Sequence, residues 1–238
     1  GTIPSEISFL PFVNKLDLSE NQIEGTVPES LYQLRQLRHL FLNNNKLQGT
    51  ISPNLDALHE AEQIYLGQNQ LTGELPSNLG STRPNNWRFF SVYDNQLTGP
   101  IHEGMRLKNT YMLDLSHNQF YGRIPNDIEH ANYSTLRLLY LNNNLLTGTI
   151  PPSLMQMRKL KGIFLNDNNL SGMIPYNIDD EEKANLLTIR VQHNRLTHMV
   201  ASEICNLDVN IGDYELVELG VDCEICPSSC SLCSHRCY

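Results

Sequence analysis

The sequence predicts an α/β solenoid, a right-handed superhelix with a parallel concave sheet of about eight strands and few helices. The first observation behind this is an asparagine that recurs at steps of 23 to 26 residues, at Asn21, Asn45, Asn69, Asn95, Asn118, Asn144, Asn168 and Asn194. The second is a fixed set of leucines around each asparagine, and the third is a Gly-x-Ile/Val/Leu-Pro segment that follows in most units. A repeat of this length cannot bury its apolar face alone and must stack on its neighbours.

Each repeat begins with a short strand. Around Asn45, the apolar Leu40 and Leu42 alternate with Phe41 and Asn43, and a period of two predicts a strand with the leucines inward. The asparagine then turns the chain, and its side-chain amide can satisfy backbone groups that the turn would otherwise bury unpaired. Stacked repeats therefore predict a structural asparagine ladder that comprises all eight recurring asparagines.

The second half of the repeat predicts an extended back wall. Gly-x-Ile/Val/Leu-Pro occurs at 25–28, 73–76, 122–125, 148–151 and 172–175. Glycine allows a backbone conformation that other residues avoid, and proline stiffens an extended segment. We therefore expect extended chain and short 3₁₀ turns on this side, with little α-helix.

The full pattern, LxxLxLxxNxLxGxIPxxL, resembles the plant-type leucine-rich repeat and covers about residues 1–204. Repeats of this type form the ectodomains of plant receptor kinases and receptor-like proteins and the polygalacturonase-inhibiting proteins. Related secreted proteins occur in algae, including diatoms. The resemblance implies a leucine-rich-repeat solenoid at the cell surface or secreted from the cell. The chain opens with Gly1–Pro4, which match Gly25–Pro28, so we expect it to start inside a repeat and to be processed or part of a longer polypeptide.

Residues 205–238 are predicted to form a Cys-rich C-terminal cap. All six cysteines lie there, at Cys205, Cys223, Cys226, Cys230, Cys233 and Cys237. An even number of cysteines in a terminal segment predicts disulfides and an oxidising compartment. Zinc is the alternative, but structural zinc sites usually separate their two ligand pairs by a dozen or more residues, so disulfides are favoured. Sequons at Asn132 and Asn169 predict glycosylation and agree with secretion.

The composition of the chain limits the classes of partner that it is expected to bind. The formal net charge is −9 and the sequence lacks a Lys/Arg cluster, which disfavours nucleic acid and anionic membranes. No apolar run reaches the roughly 18–20 residues of a transmembrane helix. The sequence predicts neither a cofactor nor a metal site, because the eight histidines are dispersed.

Asp114, Ser116 and His117 resemble a nucleophilic trio in composition only. They belong to the sequence Asp-Leu-Ser-x-Asn, which is part of the repeat consensus. The same sequence begins at Asp17. Consecutive residues at one strand end do not give the converging geometry of a catalytic triad. We therefore predict that the chain is not an enzyme.

The concave face carries the candidate ligand-binding site. Aligning the solvent-facing strand positions on the asparagines predicts an exposed apolar band, formed by Phe41, Tyr65, Phe89, Tyr93, Met112, Leu138, Tyr140 and Phe164. Lys15, Asp17 and Glu20 flank one end, and Arg190 and His193 flank the other. Exposed apolar patches often mark interaction sites, and aromatic residues suit both protein and sugar partners. Alternatively, the aromatic neighbours only stabilise the sheet by cross-strand contact.

These features predict a non-catalytic extracellular recognition module that binds a protein, peptide or glycan on its concave face. A structural subunit of an extracellular or membrane-associated assembly is the first alternative, because the strand at residues 13–18 has an open edge that can support self-association. A secreted hydrolase inhibitor is the second, and it follows only from the resemblance to polygalacturonase inhibitors. Ice or mineral binding is a further option for which the ranks of Thr and Asn are incomplete.

Overall fold

A computed structural model describes most of the solenoid. The described residues are 1–77, 79–81, 86–103, 105, 108–126, 135–155, 157–175, 186–198 and 218–220. Of the predicted cap, the structure describes only residues 218–220. The six cysteines and the sequon at Asn132 lie outside the described residues.

The chain winds through two sheets in alternation. The strands are β1 (Lys15–Asp17), β2 (Glu24–Thr26), β3 (His39–Phe41), β4 (Lys46–Gly49), β5 (Gln63–Tyr65), β6 (Gln70–Glu74), β7 (Phe89–Ser91), β8 (Gln96–Pro100), β9 (Met112–Asp114), β10 (Gln119–Arg123), β11 (Leu138–Tyr140), β12 (Leu145–Gly148), β13 (Gly162–Phe164), β14 (Asn169–Met173), β15 (Thr188–Arg190), β16 (Arg195–His198) and β17 (Glu218–Gly220). The odd-numbered strands form a nine-stranded sheet, the even-numbered strands form an eight-stranded sheet, and their order follows the chain. All strand pairs among the described residues are parallel. The solenoid is thus confirmed.

Helices are few in the described part of the chain. The 3₁₀ helix Ser5–Phe9 precedes β1. The 3₁₀ helices Glu29–Gln33 and Pro53–Ala57 and one α-helical turn, Pro152–Met155, each connect an even-numbered strand to the next odd-numbered strand. The predicted 3₁₀ turns are therefore present. No helix among these residues has both the length and the apolar composition needed to cross a bilayer.

The extended back wall is present, and its segments pair into a second sheet that the sequence pattern did not predict. Its strands contain sequences such as Gln-Leu-Thr-Gly. The leucine, for example Leu71 or Leu97, is buried, and the glycine two residues later has a positive φ. Each of these glycines stacks against the preceding repeat. A Cβ on Gly49 would lie 2.9 Å from Cγ2 of Thr26, so the close approach requires glycine. The same close packing brings backbone groups of successive repeats within hydrogen-bonding distance.

The leucines of each repeat fill one continuous core. In the repeat of Asn45, the side chains of Leu37, Leu40, Leu42 and Leu47 have no exposed surface. Trp87 and Phe90 occupy equivalent interior space later in the stack, with their rings stacked at 5.4 Å between centroids. The core therefore runs the length of the described solenoid and holds every concave strand against its neighbours.

The asparagines connect successive repeats. Asn118 accepts a hydrogen bond from the Leu97 backbone N–H through Oδ1, and its Nδ2 donates to the carbonyl oxygens of Val92 and Leu115. Leu97 and Val92 belong to the preceding repeat. The same pattern recurs at Asn45, Asn69, Asn95, Asn144, Asn168 and Asn194.

One structural column has no counterpart among the sequence-based predictions. The residue before each ladder asparagine has a φ of 52–56°, and these residues are Glu20, Asn44, Gln68, Asp94, His117, Asn143, Asp167 and His193. Left-handed backbone disfavours branched and bulky residues and is best tolerated by Asn, Asp, His and Gly. The consistently polar character of this position was the signal for it in the sequence.

Candidate ligand-binding site on the concave face

The nine-stranded sheet aligns its solvent-facing side chains in columns. The first column runs Lys15, His39, Gln63, Phe89, Met112, Leu138, Gly162 and Thr188. The second runs Asp17, Phe41, Tyr65, Ser91, Asp114, Tyr140, Phe164 and Arg190. A third column, two residues beyond the second, includes Tyr93 and Ser116. The structure therefore brings all eight residues of the predicted apolar band to one face.

The band is half-buried, whereas the sequence suggested exposed side chains. Each of its eight residues is shielded by its neighbours, and none is among the strongly exposed large hydrophobic residues of the described chain. Aromatic rings on adjacent parallel strands lie close enough to lean on one another, which the alternation pattern does not reveal. The face is thus a packed aromatic floor with ring edges and faces turned to solvent.

The first aromatic pair lies near the beginning of the sheet. The ring centroids of Phe41 and Tyr65 are 5.4 Å apart, and His39 stacks beside Phe41 at 6.2 Å. The ammonium group of Lys15 lies 5.2 Å from the Phe41 ring centroid. This arrangement places a cation over an aromatic face.

The second aromatic pair lies near the other end. Tyr140 and Phe164 stack with centroids 4.4 Å apart and an interplanar angle of 12°, and the guanidinium of Arg190 lies 5.6 Å from the Phe164 centroid. Gly162 makes room for this pair, because a Cβ there would approach Phe164 Cε2 to 3.0 Å and Leu138 Cδ2 to 2.9 Å.

Tyr93 lies flat across the third column. A Cβ on Gly67 would come within 2.2 Å of Tyr93 Cδ1, so the glycine is required by the ring that covers it. The Tyr93 hydroxyl donates a 2.6 Å hydrogen bond to Gln68 Oε1, which fixes the position of the ring. The ring therefore covers Gly67, two residues after Tyr65.

Between the two aromatic pairs, the second column contains Ser91 and Asp114, and we name this position the central gap. Ser91 is 1% exposed, and its short side chain projects less from the sheet than the neighbouring aromatic rings. The Asp114 carboxylate accepts hydrogen bonds at Oδ1 from the Ser116 hydroxyl at 2.6 Å and from the Ser116 backbone N–H at 3.1 Å. Tyr65 and Tyr140 begin three strand spacings apart, or about 14 Å. The gap is thus a polar depression in an otherwise aromatic floor.

Burial and charge in the central gap act on several groups. Burial raises the pKa of Asp114, and this effect outweighs the lowering by the Ser116 hydrogen bonds and by the charge of His117. Burial also raises the pKa of Tyr65, Tyr93 and Tyr140, and in each case the negative charge of Asp114 adds to the increase. Tyr140 is the register partner of Asp114 on the next strand, and Tyr65 and Tyr93 lie near enough for the carboxylate charge to act on them.

A charged edge runs beside the first column, and it was not among the sequence-based predictions. The residues that precede the strands are Arg38, Glu62, Arg88, Tyr111, Arg137 and Lys161, and each backbone carbonyl accepts a hydrogen bond from the next residue in this series. Glu62 bridges Arg38 and Arg88, with N–O distances of 3.6 and 3.5 Å. Arg88 and Arg137 flank the Tyr111 ring at 6.0 and 5.3 Å. These residues are one repeat or more apart in sequence, so no local Lys/Arg cluster signalled them.

The charged edge borders a polar cavity of about 390 Å³. Its lining consists of Arg38, Glu60, Glu62, Asn86, Arg88, Asn109, Tyr111 and Thr135. The cavity offers both donors and carboxylates next to the aromatic floor. A partner on the concave face would therefore meet an apolar surface with a polar margin, which is the common anatomy of a protein interface.

The trio of Asp114, Ser116 and His117 lacks the arrangement of a triad. The Ser116 hydroxyl donates directly to Asp114, and Nε2 of His117 lies 3.4 Å from Nδ2 of Asn142. A triad instead places the histidine between serine and carboxylate. The other predicted modification site, Asn169, lies half-buried at the start of β14 in the second sheet, away from the concave columns.

Family models match parts of the chain. One model, described as leucine rich repeat, matches residues 6–47, and a second, also described as leucine rich repeat, matches residues 109–131 and 135–157. The chain thus contains leucine-rich repeats, and its fold is the leucine-rich-repeat solenoid. No curated protein matches the sequence.

Solved structures share this architecture. The leucine-rich-repeat ectodomain of the receptor kinase GASSHO1/SCHENGEN3 from Arabidopsis thaliana, in complex with CASPARIAN STRIP INTEGRITY FACTOR 2, is 30% identical over 87% of this chain and 24% of its own, with a TM-score of 0.78. The plant peptide hormone receptor RGFR1 in complex with RGF2 is 28% identical over 86% of this chain and 36% of its own, with a TM-score of 0.69. A plant ice-binding protein is 30% identical over 84% of this chain and 62% of its own, with a TM-score of 0.69. The chain therefore spans less than two thirds of each.

Proposed function

We propose that this chain is a non-catalytic, extracellular recognition module that binds an extended peptide or protein segment along its concave face. The observation that carries the proposal is the packed floor of aromatic side chains, presented strand after strand on an open parallel sheet. An elongated partner can contact every strand, whereas a small molecule would cover only part of the floor.

Two further features support the proposal. The aromatic floor has a polar margin at the charged edge, so buried and solvated contacts are available in one surface. Two of the similar structures are plant receptors in complex with a partner, CASPARIAN STRIP INTEGRITY FACTOR 2 in one and RGF2 in the other. We extend from those proteins only the use of a solenoid surface for recognition, together with an extracellular location.

The test is peptide selection followed by mapping. A random library of N-acetylated, C-amidated peptides on beads is selected against the full chain, and the affinities of the enriched peptides are measured for variants. Tyr65→Ala and Phe164→Ala should weaken binding by at least about tenfold, because truncated aromatic anchors commonly cost more than about 1 kcal/mol. Tyr121→Ala is the matched control, since Tyr121 is an exposed tyrosine on the second sheet.

Both concave variants remove a ring that packs on a neighbour, so a third variant guards against loss of folding. Gln63→Lys retains all rings and places a charge two residues before Tyr65 on the same face. We expect it to weaken binding with little change in melting temperature. Binding that survives all three concave variants, or that Tyr121→Ala abolishes, would contradict the proposal.

A second candidate, a structural subunit, is favoured by the apolar end of the stack. Phe9, Leu10 and Phe12 are 78%, 50% and 80% exposed, and β1 pairs only with β3 among the described residues. In the 238-residue chain itself, this strand edge and the three apolar side chains beside it favour association. This candidate predicts that sedimentation of the full chain shows oligomers that Phe9→Ser and Phe12→Ser dissociate. A monomer at all protein concentrations would argue against it.

A further inference from the structure

Asp17 and Asp114 provide an internal comparison within the second column. Both open an Asp-Leu-Ser segment, and both carboxylates accept hydrogen bonds from the serine two residues later: 2.7 Å from Ser19 Oγ and 2.6 Å from Ser116 Oγ. The local structure is thus the same at the two positions. Any difference between them arises from what surrounds the carboxylate.

The two carboxylates differ in the charged side chains near them. Asp17 is exposed at the beginning of the sheet, and the Lys15 ammonium lies 3.2 Å from its Oδ2. Asp114 lies in the central gap among Tyr65, Tyr93 and Tyr140, and among the described residues it forms no ion pair with a lysine or arginine. His117 is the basic group near it.

We propose that the central gap receives the side chain of an arginine or lysine from a peptide that lies along the concave face. This inference rests on the proposed function and specifies its ligand chemistry. The cationic nitrogen would form an ion pair with the Asp114 carboxylate, and the alkyl stem would lie against the ring of Tyr140, the register partner of Asp114 on the next strand.

The aromatic floor already accepts cations of the chain itself. Lys15 lies over Phe41 at one end and Arg190 lies over Phe164 at the other. Between these two places, the floor contains a carboxylate in place of a cation. A cation from a partner would therefore continue the alternation of charges and rings, and it would compensate a carboxylate that burial makes unfavourable to ionise.

The gap leaves room for a long side chain. Ser91 is small and fully buried, so the floor drops between the first and second aromatic pairs. Tyr65 and Tyr140 stand about 14 Å apart at their strands, and their rings reduce this opening. An anionic group would be repelled here by Asp114 and by the exposed Asp94 that follows Tyr93.

The peptide selection is repeated on three proteins: the unmodified chain, Asp114→Asn and Asp17→Asn. Asp17→Asn is the matched control, because it makes the same change of charge in the same column and the same local segment. Terminal blocking of the peptides leaves side chains as the source of any cation. We expect the unmodified chain and Asp17→Asn to enrich Arg or Lys at one fixed peptide position, and Asp114→Asn to lose this enrichment.

A double-mutant cycle then tests direct contact. Replacing the enriched Arg or Lys by Gln should weaken binding to the unmodified chain at least about tenfold and should leave the affinity for Asp114→Asn nearly unchanged. Equal enrichment on Asp114→Asn would overturn the inference, because the overall negative charge would then explain it. Peptides that bind the mapped concave face without a basic preference would overturn this inference but retain the proposed function. A library that yields no concave binder would overturn both.

Discussion

At the scale of single residues, the environment of a carboxylate affects its pKa more than its sequence motif does. Asp17 and Asp114 both begin an Asp-Leu-Ser sequence, and both accept hydrogen bonds from the serine of that sequence. Hydrogen bonds from Ser19 and Lys15 nevertheless lower the pKa of Asp17, whereas burial raises the pKa of Asp114. Periodicity placed both residues in the second column, but it could not show which of them would lie near the tyrosines.

This contrast predicts opposite effects of pH. A carboxylate with a raised pKa in the folded state destabilises the fold when ionised, so its unfavourable contribution appears as the pH rises above the ordinary value of 3.8. Asp114→Asn should therefore raise the melting temperature at pH 7, and the gain should vanish below that ordinary value. Asp17→Asn should give no such gain. Thermal melts of both variants from about pH 3 to 8 measure this, and a lower melting temperature for Asp114→Asn at pH 7 would refute it.

The left-handed column predicts a sharp difference between two adjacent asparagines. Asn44 has a φ of 56°, whereas the preceding Asn43 lies in the third concave column and is not among the residues with positive φ. Asn44→Val should cost about 1–2 kcal/mol, because a branched side chain is strained in this conformation. Asn43→Val should cost less than about 0.5 kcal/mol. Urea denaturation compares the two, and equal losses would show that backbone strain is not the cause.

At the scale of secondary structure, the asparagine ladder links one strand to the next. Asn118 is buried and satisfies Leu97 N–H and the Val92 carbonyl of the preceding repeat. Asn21 is exposed, and its side-chain amide donates to the carbonyls of Leu18 and Ser19 in its own turn. Asn118→Ala should therefore cost about 2–4 kcal/mol, since several buried groups lose partners, and Asn21→Ala less than about 1 kcal/mol. Denaturant midpoints test this ranking, and similar losses would contradict it.

The concave sheet was predictable in detail and the second sheet was not. The constant spacing from each asparagine defines the columns, so the repeat pattern alone is enough to pair Phe41 with Tyr65 and Tyr140 with Phe164. In the second sheet, successive strands pair with a stagger: Glu24 faces Lys46, and Gln48 faces Gln70. A stagger of this kind arises from stacking between repeats, and a pattern within one repeat does not contain that information.

The charged edge was missed for a related reason. Arg38, Arg88 and Arg137 lie in three different repeats, and a search for local runs of positive charge does not find them. Their alignment follows from the same register that defines the concave columns, one position further from the asparagine. Glu62 and Tyr111 stand between them and were equally visible in the sequence. The ion pairs and ring contacts of this edge, by contrast, depend on side-chain geometry.

At the scale of the whole molecule, each repeat contacts only its neighbours, so stability should vary along the stack. The first 3₁₀ helix, Ser5–Phe9, contains no buried residue, and the strand that follows has a single repeat beside it. Repeats in the middle are enclosed on both sides. Local opening should therefore begin at the end that contains β1 and reach the centre last.

Two equivalent amides make this prediction quantitative. The N–H of Leu18 donates to the Phe41 carbonyl at 2.8 Å, and the N–H of Leu115 donates to the Tyr140 carbonyl at 2.9 Å, both from the residue after a concave strand. Their hydrogen bonds are alike, so any difference in exchange reports how often each repeat opens. We expect hydrogen exchange at Leu115 to be at least about tenfold slower, because opening there must break contacts with two neighbouring repeats. Equal protection of the two amides would instead mean that the solenoid opens only as one cooperative unit.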